Sequence, residues 1–169
     1  APLGADWVGF GYAAEQNGQL VVYGNLYNTA IPDLTGAKAF RKVYMGELKE
    51  DGARLLGHQY AADLLKQFGA ESLAGTKIYF VSDRTGHKEI WVMDHDGANQ
   101  RQITRFGSIT TMPSVSPDGR RVAFTTYADG SPRIKLYSAE TGRYVPFRNL
   151  NAPINAQASF TPDGQKMLF

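Results

Sequence analysis

The sequence predicts a mixed fold: a partial α/β (α+β) N-terminal domain over residues 1–75, then an incomplete β-propeller of about two blades over 76–169. Three observations predict it. Strand-like segments give way to one segment of helical period between Glu50 and Gly69. Apolar residues then recur at intervals of 44 or 45 residues, and a Ser/Thr-Pro-Asp-Gly phrase appears twice at matching places, Ser116–Gly119 and Thr161–Gly164.

In the first part, QLVVYGNLY from Gln19 to Tyr27 is apolar and β-branched enough for a strand, and Gln16-Asn17-Gly18 ahead of it is turn chemistry. WVGFGYAAE supplies the antiparallel partner, so Trp7 to Tyr27 reads as a hairpin. A loop punctuated by Pro32, Asp33 and Gly36 leads to AKAFRKVYMGEL, a third strand. The period then changes. Leu56, Tyr60 and Leu64 recur every four residues, and Leu65 and Phe68 are expected to continue the stripe, with Asp51 as N-cap and Gly69 as helix stop. Strands followed by a helix, with nothing ahead of the first strand, match the closing part of an α/β or α+β domain.

The second part is periodic. Ile78, Val122 and Met167 are spaced by 44 and 45 residues, as are Phe80, Phe124 and Phe169; Gly86 and Ile90 return as Gly130 and Ile134. Gly97 returns as Gly142, one residue later because the turn SAETG is longer than DHDG. This period with short alternating strands is that of propeller blades of about four strands each. KIYFVSD and RVAFTTY, EIWVMD and RIKLYS, and RQIT and YVPF supply three successive strands in two blades. In the Ser-Pro-Asp-Gly turn, Pro117 pre-sets φ, Asp118 suits the bridge region and Gly119 takes positive φ. These residues serve folding.

Composition narrows the function. With 43% hydrophobic and 12% aromatic residues the chain is a folded one, and no apolar run approaches the roughly 20 residues that cross a bilayer. APLGADW lacks the basic-then-apolar layout of a signal peptide. The absence of cysteine excludes disulfides and thiolate chemistry. Lys and Arg number six against eight acids before Thr76 and twelve against eight from there on. The only basic doublet in that second part, Arg120–Arg121, is too little for a nucleic-acid surface. His58, His87 and His95 show no metal-ligand spacing. Asp94-His95-Asp96-Gly97 resembles the start of a calcium loop, but its twelfth position is Arg105, a cation where a bidentate Glu is needed. No P-loop, Gly-x-Ser-x-Gly elbow or acid/base carboxylate pair occurs. The residues therefore predict no catalytic site, no metal and no cofactor.

The run KIYFVSDRTGHKEIWVMDHDGANQRQIT followed by PSVSPDGRRVAFTTY resembles the first propeller blade of the TolB family, periplasmic components of the bacterial Tol–Pal system. GQLVVYGNLYN and the GHQYAADLLKQFG helix are similar to the second part of that family's N-terminal α/β domain. The resemblance implies a six-bladed propeller of which about two blades are present. It also implies a fragment, and a non-enzymatic periplasmic adaptor in protein transport and cell division. The implied partners are a Pal-like lipoprotein and the Tol inner-membrane proteins, with no nucleic acid and no membrane insertion. No counterpart of the family's TolA-binding segment is seen, so no TolA-contacting residue is assigned.

In the family, Pal sits over the tunnel mouth and touches the loops entering each innermost strand. Here those loops are GSITTMPSV and APINAQASF. The resemblance thus implies Ser108, Thr110, Thr111 and Met112 in one loop, and Asn155, Ala156 and Gln157 in the other, as partner-binding residues. An alternative reading is the propeller gate of a prolyl-oligopeptidase-like peptidase whose catalytic domain lies outside this chain. Two blades cannot close a ring, so self-association through open sheet edges is expected.

Overall fold

The computed structural model describes residues 4–31, 33 and 38–169. The loop expected at Pro32 and Gly36 lies outside the described residues. The chain divides into two compact units, Ala1–Ala74 and Gly75–Phe169.

The first unit is a three-stranded antiparallel meander, β1 (Trp7–Gln16), β2 (Gln19–Asn28) and β3 (Lys38–Glu47), with one helix, α1 (Glu50–Gln67). Gln16 pairs with Gln19, and the two residues between them, Asn17 and Gly18, both take positive φ (52° and 76°). That is the backbone a two-residue hairpin requires, because its twist matches that of the strands. β3 runs from Glu47, opposite Gln19, to Phe40, opposite Leu26, and a register irregularity follows.

Helix α1 packs where the sheet has no side chains to displace it. The Tyr60 ring lies over Gly24, and Leu56, 2% exposed, lies over Gly46. The Tyr60 hydroxyl donates to the Asn25 carbonyl at 3.1 Å. Asp63 accepts from Lys42 and from the Tyr44 hydroxyl, each at 2.7 Å. The Lys42 bond, then the Tyr44 bond, hold the Asp63 carboxyl below its ordinary value, while burial and this carboxylate push the Tyr44 phenol up.

Two helix expectations are corrected. The N-cap is Lys49, extended and without a side-chain cap bond, because the Lys49 carbonyl already accepts from Ala53. Asp51 lies in the first turn beside Glu50, where its charge complements the helix N-terminus. Leu65 and Phe68 are exposed and do not extend the buried stripe. At about 100° per residue, Leu65 points roughly opposite to Leu56, and Phe68 is about a third of a circle away. Phe68 instead meets the Trp7 ring edge-on at 5.7 Å. The helix stops as expected. Gly69 takes φ 70°, Ala70 N–H reaches the Leu65 carbonyl and Gly69 N–H reaches that of Lys66.

The second unit contains three antiparallel sheets. β4 (Lys77–Ser82), β5 (Glu89–Asp94) and β6 (Arg101–Gln102) form a three-stranded sheet. β7 (Thr110–Val115), β8 (Arg121–Thr126), β9 (Arg133–Ser138) and β10 (Arg143–Val145) form a four-stranded sheet in that order. β11 (Ser159–Phe160) and β12 (Met167–Leu168) begin another. The repeat therefore yields one four-stranded blade, a three-stranded one without a counterpart of β7, and the first strands of a third. β10 ends at Val145, one residue before Pro146, which has no N–H to donate.

Strand alternation lets the four-stranded sheet bury both faces. Val122, Phe124 and Tyr137 pack with Ile90, Val92 and Ile103 of the preceding blade. Ala123, Ile134 and Leu136 pack with Ala158, and Phe160 and Met167 of the next blade join them. The incomplete β-propeller expected from the 44-residue period is present.

Candidate partner-binding rim

β7 and β11 are each entered by a segment that repeats at 45 residues, so Gly107, Thr110 and Met112 correspond to Ala152, Asn155 and Gln157. One backbone bond anchors both segments. Thr110 N–H donates to the Lys88 carbonyl at 2.7 Å, and Asn155 N–H donates to that of Pro132 at 3.1 Å.

The seven expected contact residues divide at this anchor. Thr110, Thr111 and Met112 belong to β7 itself and not to the loop ahead of it, while Ser108 sits in the preceding bend. Thr110 is fully buried, its hydroxyl 3.0 Å from that of Thr126. Asn155 is also buried. Its Oδ1 accepts from Leu150 N–H at 2.9 Å, and its Nδ2 donates to the carbonyls of Leu150 and Ala152. These two side chains face inward and fasten their segments. Ser108, Thr111 and Ala156 are half-buried; Met112 and Gln157 are exposed.

Met112 and Gln157 share a further property. Both lie in the left-handed region, at φ 55° and 58°, which residues with a side chain adopt uncommonly. At Met112 the β7–β8 register shifts between Thr111 and Ser114, the mark of a bulge. At Gln157 the backbone N–H donates to the Thr125 hydroxyl at 3.0 Å. The same left-handed backbone thus occurs at the same repeat position, and both side chains are exposed.

After each of these residues the Ser/Thr-Pro-Asp-Gly turn closes the strand end. Arg121 N–H donates to the Ser116 hydroxyl at 2.9 Å, Ser116 donates to Asp118, and Asp118 accepts from Arg120 N–H at 3.1 Å. Thr161, Asp163, Gln165 and Lys166 repeat this pattern. The Ser116 and Thr161 hydroxyls, then the backbone N–H bonds, hold the two aspartates below their ordinary value. Gly119 and Gly164 take φ 71° and 68°, as the turn demands. Asp94 to Gly97 also forms a tight turn, with Gly97 N–H on the Asp94 carbonyl and the Asp94 carboxylate shared by Lys77 and Asn99.

Four residues beside these segments carried no local signal in the sequence. Thr104 and Asn149, 45 residues apart, each bond the backbone of the β5 or β9 start. Ile90 N–H donates to the Thr104 hydroxyl, and Ile134 N–H to Asn149 Oδ1, both at 2.8 Å. Glu89 and Arg133, 44 residues apart, stand beside them. The one available signal is the spacing, because the residue type changes between repeats.

The family model of the TolB beta propeller domain matches residues 66–169. A protein TolB homolog from Chlorobaculum tepidum is 36% identical over 146 residues, covering 86% of this chain and 32% of its own length. A Tol-Pal system protein TolB from Anaeromyxobacter sp. strain K is 30% identical over 173 residues, covering all of this chain and 37% of its own length. The chain thus spans about a third of these relatives. The crystal structure of TolB from Acinetobacter baumannii superposes with a TM-score of 0.72 at 20% identity, over 98% of this chain and 41% of that one, a likeness of fold. From its repeat, its blades and these relatives, the chain belongs to the TolB β-propeller family.

Proposed function

We propose that this chain is part of a non-enzymatic periplasmic adaptor of the Tol–Pal system. In this reading the rim segments 107–112 and 152–157 dock a Pal-type lipoprotein, and Tol inner-membrane proteins are its other partners. The relatives' names, TolB and Tol-Pal system protein TolB, favour this over the gate of a peptidase. One observation carries the rim reading. Two successive blades each raise an exposed side chain, Met112 or Gln157, on a residue of left-handed backbone two positions after a buried anchor. Strain kept at the same place in two repeats points to a surface set for contact. Met adapts to a partner's shape and Gln supplies both donor and acceptor.

The test is calorimetric titration of the protein with the soluble domain of Pal. Saturable binding is expected, weakened about tenfold by the double change Met112→Ala with Gln157→Ala. No binding by a folded protein overturns the reading.

Open edges support a second element of the proposal, self-association. Among the described residues β4 pairs with β5 alone, while its repeat counterpart β8 pairs on both sides. Unpaired strand edges recruit other strands. Sedimentation should show mass rising with concentration in the micromolar range; a monomer throughout would remove this element.

A further inference from the structure

We infer that Glu89 and Arg133 are positioning residues for the two rim segments, holding the same backbone position with opposite charge. This rests on the rim reading above. Glu89 is only 2% exposed. One carboxylate oxygen accepts from Gly107 N–H at 2.8 Å, and the other accepts from the Thr104 hydroxyl. In the next repeat Arg133 occupies the matching place. Its Nη1 donates to the carbonyl of Ala152, the counterpart of Gly107, at 2.9 Å, and to that of Pro153 at 3.3 Å.

The exchange is coherent chemistry. A carboxylate can only accept, so it takes the N–H of its segment; a guanidinium can only donate, so it takes the C=O. The neighbouring residue changes in step. Thr104 gives its proton to Glu89 while accepting from Ile90 N–H, whereas Asn149 donates to the Ile134 carbonyl and accepts from Ile134 N–H. Neutral hydrogen bonds would close the segments, yet each repeat uses a charged group, whose hydrogen bonds are shorter and stronger. A buried carboxylate is costly unless its bonds are made, so Glu89 holds Gly107 in one place. Gly107 and Ala152 each lie five residues ahead of the left-handed residue, Met112 or Gln157. Fixing them sets where Met112 and Gln157 emerge.

Residue-resolved amide exchange by NMR, combined with Pal titration, tests this on the protein carrying Glu89→Ala, Glu89→Gln or Arg133→Ala. In Glu89→Ala, Gly107 N–H should exchange about tenfold faster or more, while Val122 and Ile134 keep their protection. Glu89→Gln keeps a carbonyl acceptor and should restore Gly107. In Arg133→Ala, the N–H of Asn155 should exchange faster with Gly107 unaffected. Both alanine variants should bind Pal about tenfold more weakly.

Unchanged exchange at Gly107 and Asn155, or equal acceleration of Val122 and Ile134, overturns the inference. If Glu89→Ala does not fold, Arg133→Ala decides by the same criteria. Failure of the unaltered protein to bind Pal overturns the adaptor reading instead, and the exchange pattern still judges the positioning roles.

Discussion

The strand glycines of the first unit and the turn glycines of the second serve different ends. Between Ala1 and Ala74, Gly9, Gly24 and Gly46 lie in strands and make room, so that Tyr60 and Leu56 of α1 can approach the sheet backbone. Between Gly75 and Phe169, Gly86, Gly97, Gly107, Gly119, Gly130, Gly142 and Gly164 all take positive φ, and most have nothing near them. The strand glycines of the first unit are packing residues; the turn glycines of the second, like Gly18 and Gly69 of the first, are backbone residues. Substitutions can separate the two uses, because one fails by collision and the other by strain.

The largest effect lies outside glycine and sets the scale. Phe124 is fully buried at the centre of the cluster joining two blades, with Phe106 at 6.1 Å and Tyr144 at 6.3 Å between ring centres. Phe124→Ala should cost about 3–5 kcal/mol in denaturant unfolding. Because the units are separately compact, α1 should keep its helical signal when the blades melt. Simultaneous loss of both signals would show that the two units do not unfold separately.

Gly24→Ala tests the packing use. The added Cβ would sit 2.5 Å from two carbons of the Tyr60 ring, which the Asn25 carbonyl and the edge of Phe40 hold in place. The expected loss is about 1–3 kcal/mol. In a Tyr60→Leu background the same change should cost distinctly less, as a double-mutant cycle would read. Equal cost in both backgrounds would mean that Gly24 is retained for its backbone and not for room.

Gly119→Val tests the backbone use. No atom lies within 4 Å of a Cβ at Gly119, so the whole penalty is the strain of φ 71° in a β-branched residue. That is about 1 kcal/mol or more. The thermal midpoint should fall while the helical signal of α1 is unmoved. No change would remove backbone geometry as the reason for the repeated turn.

This contrast also explains how far the sequence could be read. Gln16 to Gly18, Gly69 and the two Pro-Asp-Gly turns were legible because each depends on a few adjacent residues and a backbone rule. The blades were legible because the rule repeats. The packing of Gly24 on Tyr60 was hidden, since nothing local distinguishes a glycine that makes room from one that turns. Leu64 and Leu65 looked like one apolar pair, yet a helix sends adjacent residues about 100° apart. In the two segments ahead of the Pro-Asp-Gly turns, the side chains of Met112 and Gln157 are exposed. Thr110 and Asn155 are buried, which no local pattern shows, because burial comes from Thr126 across a strand pair and from the loop carbonyls of Leu150 and Ala152. Glu89 and Arg133 escaped because their role persists while their charge reverses.

The smallest effect has the opposite sign. Gly57 lies inside α1, where it neither makes room nor turns: a Cβ there would meet no atom within 4 Å, and its φ is not in the left-handed region. Neither use of glycine applies, and what remains is the entropic penalty of glycine in a helix. Gly57→Ala should therefore stabilise the first unit by about 0.5–1 kcal/mol, through fewer conformations in the unfolded chain. The gain should appear in the helix signal and leave the unfolding of the blades unchanged. A loss of stability would mean that the exposed side of α1 around Gly57 is covered in the assembled protein, giving this glycine a packing role as well.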